Sequence, residues 1–216
     1  MARIEGASGV LAEIDAGSLA QRVSLRPTRT LAWNSLGAQT GLLTGIVAGG
    51  RIFSLRNNHA SNLILVRRVG LGIITTTAFT AAQLVEFGLL VGRAFTVSDT
   101  VGTDITPLTN NTKHRASLAV PNVQGRISAT AVVSGGTITT PDANYVGITG
   151  LWSSAVGVSL TPSMSNLLEH PADDLPLVLA ANEGVVIQNI TLMGAAGVVK
   201  AYINIEYAEI AAADFA

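Results

Sequence analysis

Three histidines, two tryptophans and a thin scatter of carboxylates are the residues of this 216-residue sequence that could do chemistry. His59, His114 and His170 each fall in or beside a predicted loop, with no second histidine or carboxylate at metal-ligand spacing. His170 has Glu169, Asp173 and Asp174 nearby; that set would make at most a weak cation site and reads more simply as a solvated turn. Asp99 and Asp104 flank a loop and carry the right charge for Ca²⁺, but the dense Asp/Asn ladder of a calcium loop is missing. Nucleophile and phosphate motifs are absent: there is no G-x-S-x-G, and the glycine-rich stretch 45–50 is not followed by Lys-Ser/Thr. A glycosidase needs two carboxylates converging in an aromatic-lined cleft. Trp33 and Trp152 are the only tryptophans, and with Tyr145 they are what a sugar site would use. Trp152 reads first as a core or interface residue. With no cysteine, thiol chemistry, zinc-thiolate sites and disulfides are excluded. The expectation is a protein that is not an enzyme, with no catalytic residue, no metal and no cofactor.

The elements that would hold such residues are strands. Residues 51–56 form a short strand closed by Asn57-Asn58. Residues 62–75 form the longest β-type run. Leu63, Leu65, Arg67, Val69, Leu71 and Ile73 share one face, and Ile64, Val66, Arg68, Gly70, Gly72 and Ile74 the other. With both faces mostly apolar, this is a central strand between two layers. Adjacent Arg67 and Arg68 then point to opposite faces; the one turned inward needs a partner, for which Glu86 on the neighbouring predicted strand or a residue of another subunit is a candidate, unless the strand simply emerges into solvent there, the reading we favour. Residues 83–95 read as a strand because Val85, Phe87, Leu89, Val91 and Phe95 recur at period two and Gly88 and Gly92 oppose a helix. Residues 126–133 and 137–140 flank Ser134-Gly135-Gly136, a hairpin signal. At the end of the chain, residues 175–180, 185–192 and 198–210 are three strands separated by Asn182-Glu183-Gly184 and by residues 194–197. In the last strand Val199, Ala201, Ile203, Ile205 and Tyr207 alternate with Lys200, Tyr202, Asn204, Glu206 and Ala208, which marks an antiparallel sheet with one wet face. Many short strands, Gly- and Pro-rich turns and no convincing helix predict an all-β chain, an antiparallel β-sandwich of jelly-roll type.

The first thirty residues stand apart. They carry Arg3, Glu5, Glu13, Asp15, Arg22, Arg26 and Arg29, a large share of the charge, and residues 20–27 alternate as a strand before Pro27. We divide the chain into an extended N-terminal arm, 1–30, and a β-sandwich domain, 31–216. Such an arm gains stability by lying on a neighbouring subunit, in the manner of strand addition, or folds back on its own sheet.

Composition points to assembly. Charged residues are 12% against roughly 25% in an average soluble domain, while hydrophobic residues are 48% with a mean hydropathy of +0.45. Surface that small polar residues do not cover is expected to be removed from water against other chains. No apolar run is both long and clean enough for the ~20 residues of a membrane helix. No signal-peptide core is found near Met1, so synthesis in the cytoplasm is expected. A net charge of −1 gives no basic field to attract nucleic acid.

An ordered set of segments carries a resemblance. These are Met1-Ala-Arg-Ile-Glu-Gly6, Gln21-Arg-Val-Ser-Leu-Arg-Pro27, Arg51-Ile-Phe-Ser-Leu-Arg56, Leu63-Ile-Leu-Val-Arg-Arg-Val69, Leu177-Val-Leu-Ala-Ala-Asn-Glu-Gly-Val-Val-Ile187 and Glu206-Tyr-Ala-Glu209. In order and spacing they resemble a family of small virion structural proteins of tailed bacteriophages, at both ends of the chain and little in its middle. The resemblance implies a virion component and supplies no functional residue. The expectation is a capsid decoration or cement protein, a homotrimer bound to the major capsid protein. A tail, neck or baseplate subunit and a carbohydrate-binding host-recognition module are the alternatives.

Overall fold

A computed structural model describes residues 4–5, 11–12, 34–106, 120–130, 132–153, 163–171 and 176–214. The predicted arm falls largely outside them. Within 1–30 only β1 (Ile4–Glu5) and β2 (Leu11–Ala12) are described, as a short antiparallel pair. The strand predicted at 20–27 lies outside the described residues, as do Trp33, His114, Asp173 and Asp174.

Eight strands make two facing antiparallel sheets. The first sheet runs β11 (Ser163–Glu169), β5 (Leu63–Thr77), β14 (Val198–Ile210), β3 (Asn34–Gln39). The second runs β10 (Gly147–Ser153), β6 (Gln83–Val97), β13 (Gly184–Asn189), β4 (Arg51–Asn57). Followed in sequence, these eight strands change sheet at every step but the middle one, from β6 to β10, so that the first and last pair, the second and second-last pair, and so inward. That winding is the jelly roll. Short strands extend the edges: β8 (Val123–Ile127) and β7 (Thr103–Asp104) beyond β4, β9 (Thr137–Pro141) beside the far half of β6, and β12 (Leu177–Leu179) beside the first half of β5.

Period-two patterning builds the core between the sheets. Val85, Phe87, Leu89 and Val91 of β6 and Val199, Ala201, Ile203, Ile205 and Tyr207 of β14 all turn inward and are buried in one cluster. The predicted strand at 83–95 is therefore observed; the strand predicted at 62–75 is central in its sheet, between β11 and β14, but faces another sheet on one side only rather than lying between two layers. Strict alternation along 63–74 is not. Val66 and Val69 both enter the core, because the register with β14 shifts between Glu206↔Arg68 and Tyr207↔Val66. One extra residue, Arg67, is accommodated as a β-bulge, which rephases the strand. Both arginines thus stay off the core face, where an unpaired charge would be costly. Arg67 lies 3.7 Å from Glu206 on β14, whereas Glu86 belongs to the other sheet. Beyond the bulge, Ala208 of the predicted wet face is buried with Ile210 and Leu65 in a satellite cluster, backed by Leu63 and Val178.

Two further expectations are corrected. Residues 126–133 and 137–140 do not form a hairpin: β8 pairs with β4 and β9 with β6. The intervening glycines serve a close approach instead, since a Cβ on Gly136 would sit 2.6 Å from the Asp99 nitrogen. Phe95 does not share the face of Val91; it joins Leu90 and Val186 on the outer side of the second sheet, after register shifts between β6 and β9. There Gly88 and Gly92 act as seats: a Cβ on Gly88 would lie 2.4 Å from the Tyr145 ring, and one on Gly92 3.0 Å from Ile138.

The Tyr207 hydroxyl is buried in the core without a hydrogen-bond partner among the described residues, and burial pushes its phenol above the ordinary range. A raised acid means that the folded state prefers the neutral phenol. Its share of stability is complete below about pH 10, where a free tyrosine titrates, and is lost as pH rises above that. Tyr207→Phe is expected to be neutral to about 1 kcal/mol stabilising at pH 7 and to unfold at higher pH than the parent chain. Urea melts at pH 7 and pH 11 measure both effects. A loss above about 1 kcal/mol at pH 7 would show that the hydroxyl has a partner after all.

Candidate assembly surface

The polar residues singled out by sequence are mostly occupied in holding loops together. At one end of the sandwich, His59 Nδ1 accepts the backbone N–H groups of Ser61 and Asn62 at 3.1 and 2.8 Å. Its Nε2 is 3.8 Å from Glu209, whose other carboxylate oxygen accepts the Asn122 N–H at 2.6 Å. His59 thus ties the 57–62 loop to the end of β14. The His170 N–H donates to the Arg67 carbonyl at 2.9 Å, and Glu169 accepts from the Asn166 side chain.

The two loop aspartates do not converge. Asp99 Oδ1 lies 2.9 Å from Arg51 and accepts the Gly136 N–H at 2.9 Å, with its side chain fully buried. Asp104 instead faces Arg126 at 3.1 Å and accepts the Thr106 N–H. Burial opposes the charge of Asp104, but its bonds with Thr106 and the nearby Arg126 prevail and hold its carboxyl below the usual range. No group of three His, Asp or Glu side chains that could hold a metal occurs among the described residues. A cavity of about 260 Å³ at the sandwich end, between residues 43–47 and the side chains of Thr130 and Val132, is lined by no titratable side chain among the described residues.

The aromatic trio of a sugar site is not brought together. Trp33 lies outside the described residues. Tyr145 lies against Gly88 with its hydroxyl accepting from the Gln188 side chain at 2.9 Å. Trp152 is paired in register with Leu84, four residues from Gly88, about 13 Å along β6.

What surrounds Trp152 is apolar. It is 66% exposed, Ile148 on the same strand is 58% exposed, and Val146 just before the strand and Leu84 beside it are exposed as well. Among the described residues the strand β10 is the outermost of its sheet on this side, paired only with β6. An edge strand with outward-facing large apolar residues is a template for pairing that proteins normally blunt with charge or proline. In β10 neither is present, the sequence being Gly-Ile-Thr-Gly-Leu-Trp-Ser. Sequence reasoning had singled out Trp152 alone. The signal for the rest was Ile148-x-Gly150-x-Trp152, three residues of one parity.

No helix among the described residues is long and apolar enough to cross a membrane. Comparisons of this chain with protein-family models, with curated proteins and with solved structures find no match.

Proposed function

We propose that this chain is a bacteriophage virion structural protein, a capsid decoration or cement protein that works by burying surface between subunits. The observation that carries the reading is the uncharged, apolar edge strand of the jelly roll. Subunits that act through their interfaces need such surface, and a permanently monomeric protein is harmed by it. Low overall charge and the resemblance of the chain's two ends to tailed-phage virion proteins support it. The jelly roll serves viral shells, lectins and cupins alike, so the fold alone does not choose between them. In this reading the partners are other copies of the chain and the major capsid protein, the location is the virion, and no direct contact with nucleic acid or membrane is involved. Three copies per assembly is the order first expected.

Quantitative mass spectrometry of purified particles tests the proposal. The expected result is a high, fixed ratio of this chain to the major capsid protein. A few copies per particle would replace cement with a tail, neck or baseplate part. The exposed Trp152 ring also leaves a carbohydrate-binding reading, for which binding of the isolated chain to a glycan array is the decisive result.

A further inference from the structure

We infer that β10 pairs with β10 of a second copy, antiparallel, across a two-fold axis at Gly150, joining the two outer sheets into one. The inference deepens the reading above and rests on its self-assembly half, not on the particle.

The ladder geometry sets the register. Within antiparallel strands, successive residues direct their peptide groups to alternate sides. The Ile190 N–H donates to the Glu86 carbonyl at 2.9 Å, so the peptide groups of Glu86 face β13. Those of Val85, Phe87 and Leu89 therefore face β10, where their partners are Leu151, Thr149 and Gly147. This leaves Ile148, Gly150 and Trp152 with their N–H and C=O groups directed at the open edge. The same three residues are the exposed ones of the strand.

Antiparallel pairing centred on Gly150 opposes Gly150 to its own copy and Ile148 to Trp152 of the other chain, all as hydrogen-bonded pairs. The outer face then reads Leu84, Trp152, Ile148 of the copy, and the mirror row below, with the two glycines between. An indole beside a β-branched aliphatic is a favourable cross-strand pair. The central glycines leave room where two larger side chains would crowd.

Charge permits the same arrangement. Glu86, opposite Gly150 in register, is the acidic residue of the central row. Its copy would lie three strand spacings away, about 14 Å, beyond the screening length of about 8 Å at physiological salt. Ile148 and Trp152, 58% and 66% exposed, are the large apolar side chains that a facing strand would partly cover. A second copy thus fits the edge by register and charge. The contact is two-fold, so it builds dimers, or links larger rings, and does not by itself close a trimer.

The absence of cysteine makes the test clean. Facing Cα atoms in a hydrogen-bonded antiparallel pair are about 5.5 Å apart, within disulfide reach. The full chain carrying Gly150→Cys should form a covalent dimer under mild oxidation. Val97→Cys, an exposed control on the far end of β6, should cross-link at least tenfold more slowly. In parallel, Trp152→Lys should shift self-association of the otherwise unchanged chain at least tenfold to higher concentration. Cross-linking of Gly150→Cys no faster than the control, or unaltered association of Trp152→Lys, overturns the inference. A chain that binds particles without cross-linking refutes only the β10 contact. One that cross-links but ignores particles refutes only the capsid reading.

Discussion

Phe87→Ala is expected to lower the unfolding free energy by about 3–5 kcal/mol, the largest loss from any single truncation considered for this chain. Phe87 is fully buried on the inner face of β6, in the cluster that also holds Val69 and Leu71 of β5 and Ile203 and Ile205 of β14. Removing the ring takes away apolar contact with both sheets at once and leaves a cavity that rigid strands cannot collapse to fill. Against a total stability of about 5–15 kcal/mol, much of the fold would be lost. Urea unfolding should show a lower midpoint at an unchanged slope. Leu90→Ala, in the smaller cluster on the outer face, should cost less. Equal losses at the two sites would mean that the facing sheets do not share the main core.

Asp99→Ala should come next, at roughly 3 kcal/mol. Its carboxylate is fully buried and bonded to both Arg51 and the Gly136 N–H, so truncation strands a largely buried guanidinium. Arg51 also donates to the Gly136 carbonyl at 3.1 Å, which makes the trio the fastening between β4 and the 134–136 segment. Asp104→Ala is the matched control. Its ion pair with Arg126 is more than half exposed on the acidic side, and solvent holds such pairs to about 0–1 kcal/mol. A double-mutant cycle over Arg51 and Asp99 isolates the coupling. A cost below that of Asp104→Ala would remove Asp99 from its structural role.

Much of the fold was legible because burial writes itself into period-two patterns. The alternation of β14 from Val199 to Tyr207 placed its inner face residue by residue, and Gly88 and Gly92 rightly excluded a helix over β6. What patterning misses is a change of phase. The bulge at Arg67 inserts one residue, after which every later side chain of β5 changes faces, and nothing local in Val66-Arg-Arg-Val69 announces it. The Ser134-Gly135-Gly136 segment misled for a related reason. Glycine permits a tight turn and a close backbone approach equally, and the approach of Gly136 to Asp99 joins residues 37 positions apart in sequence. The surface strip was half legible: Trp152 stood out as an aromatic, but that β10 lies at an edge follows only from the topology of the sheet.

Light scattering on the purified chain over a wide concentration range tests the central claim most directly. The account predicts a mass that climbs from one copy toward an assembled species as concentration rises, with Ile148 and Trp152 becoming protected from solvent. A well-folded particle of single-chain mass at every concentration, with β10 still open to solvent, would contradict it.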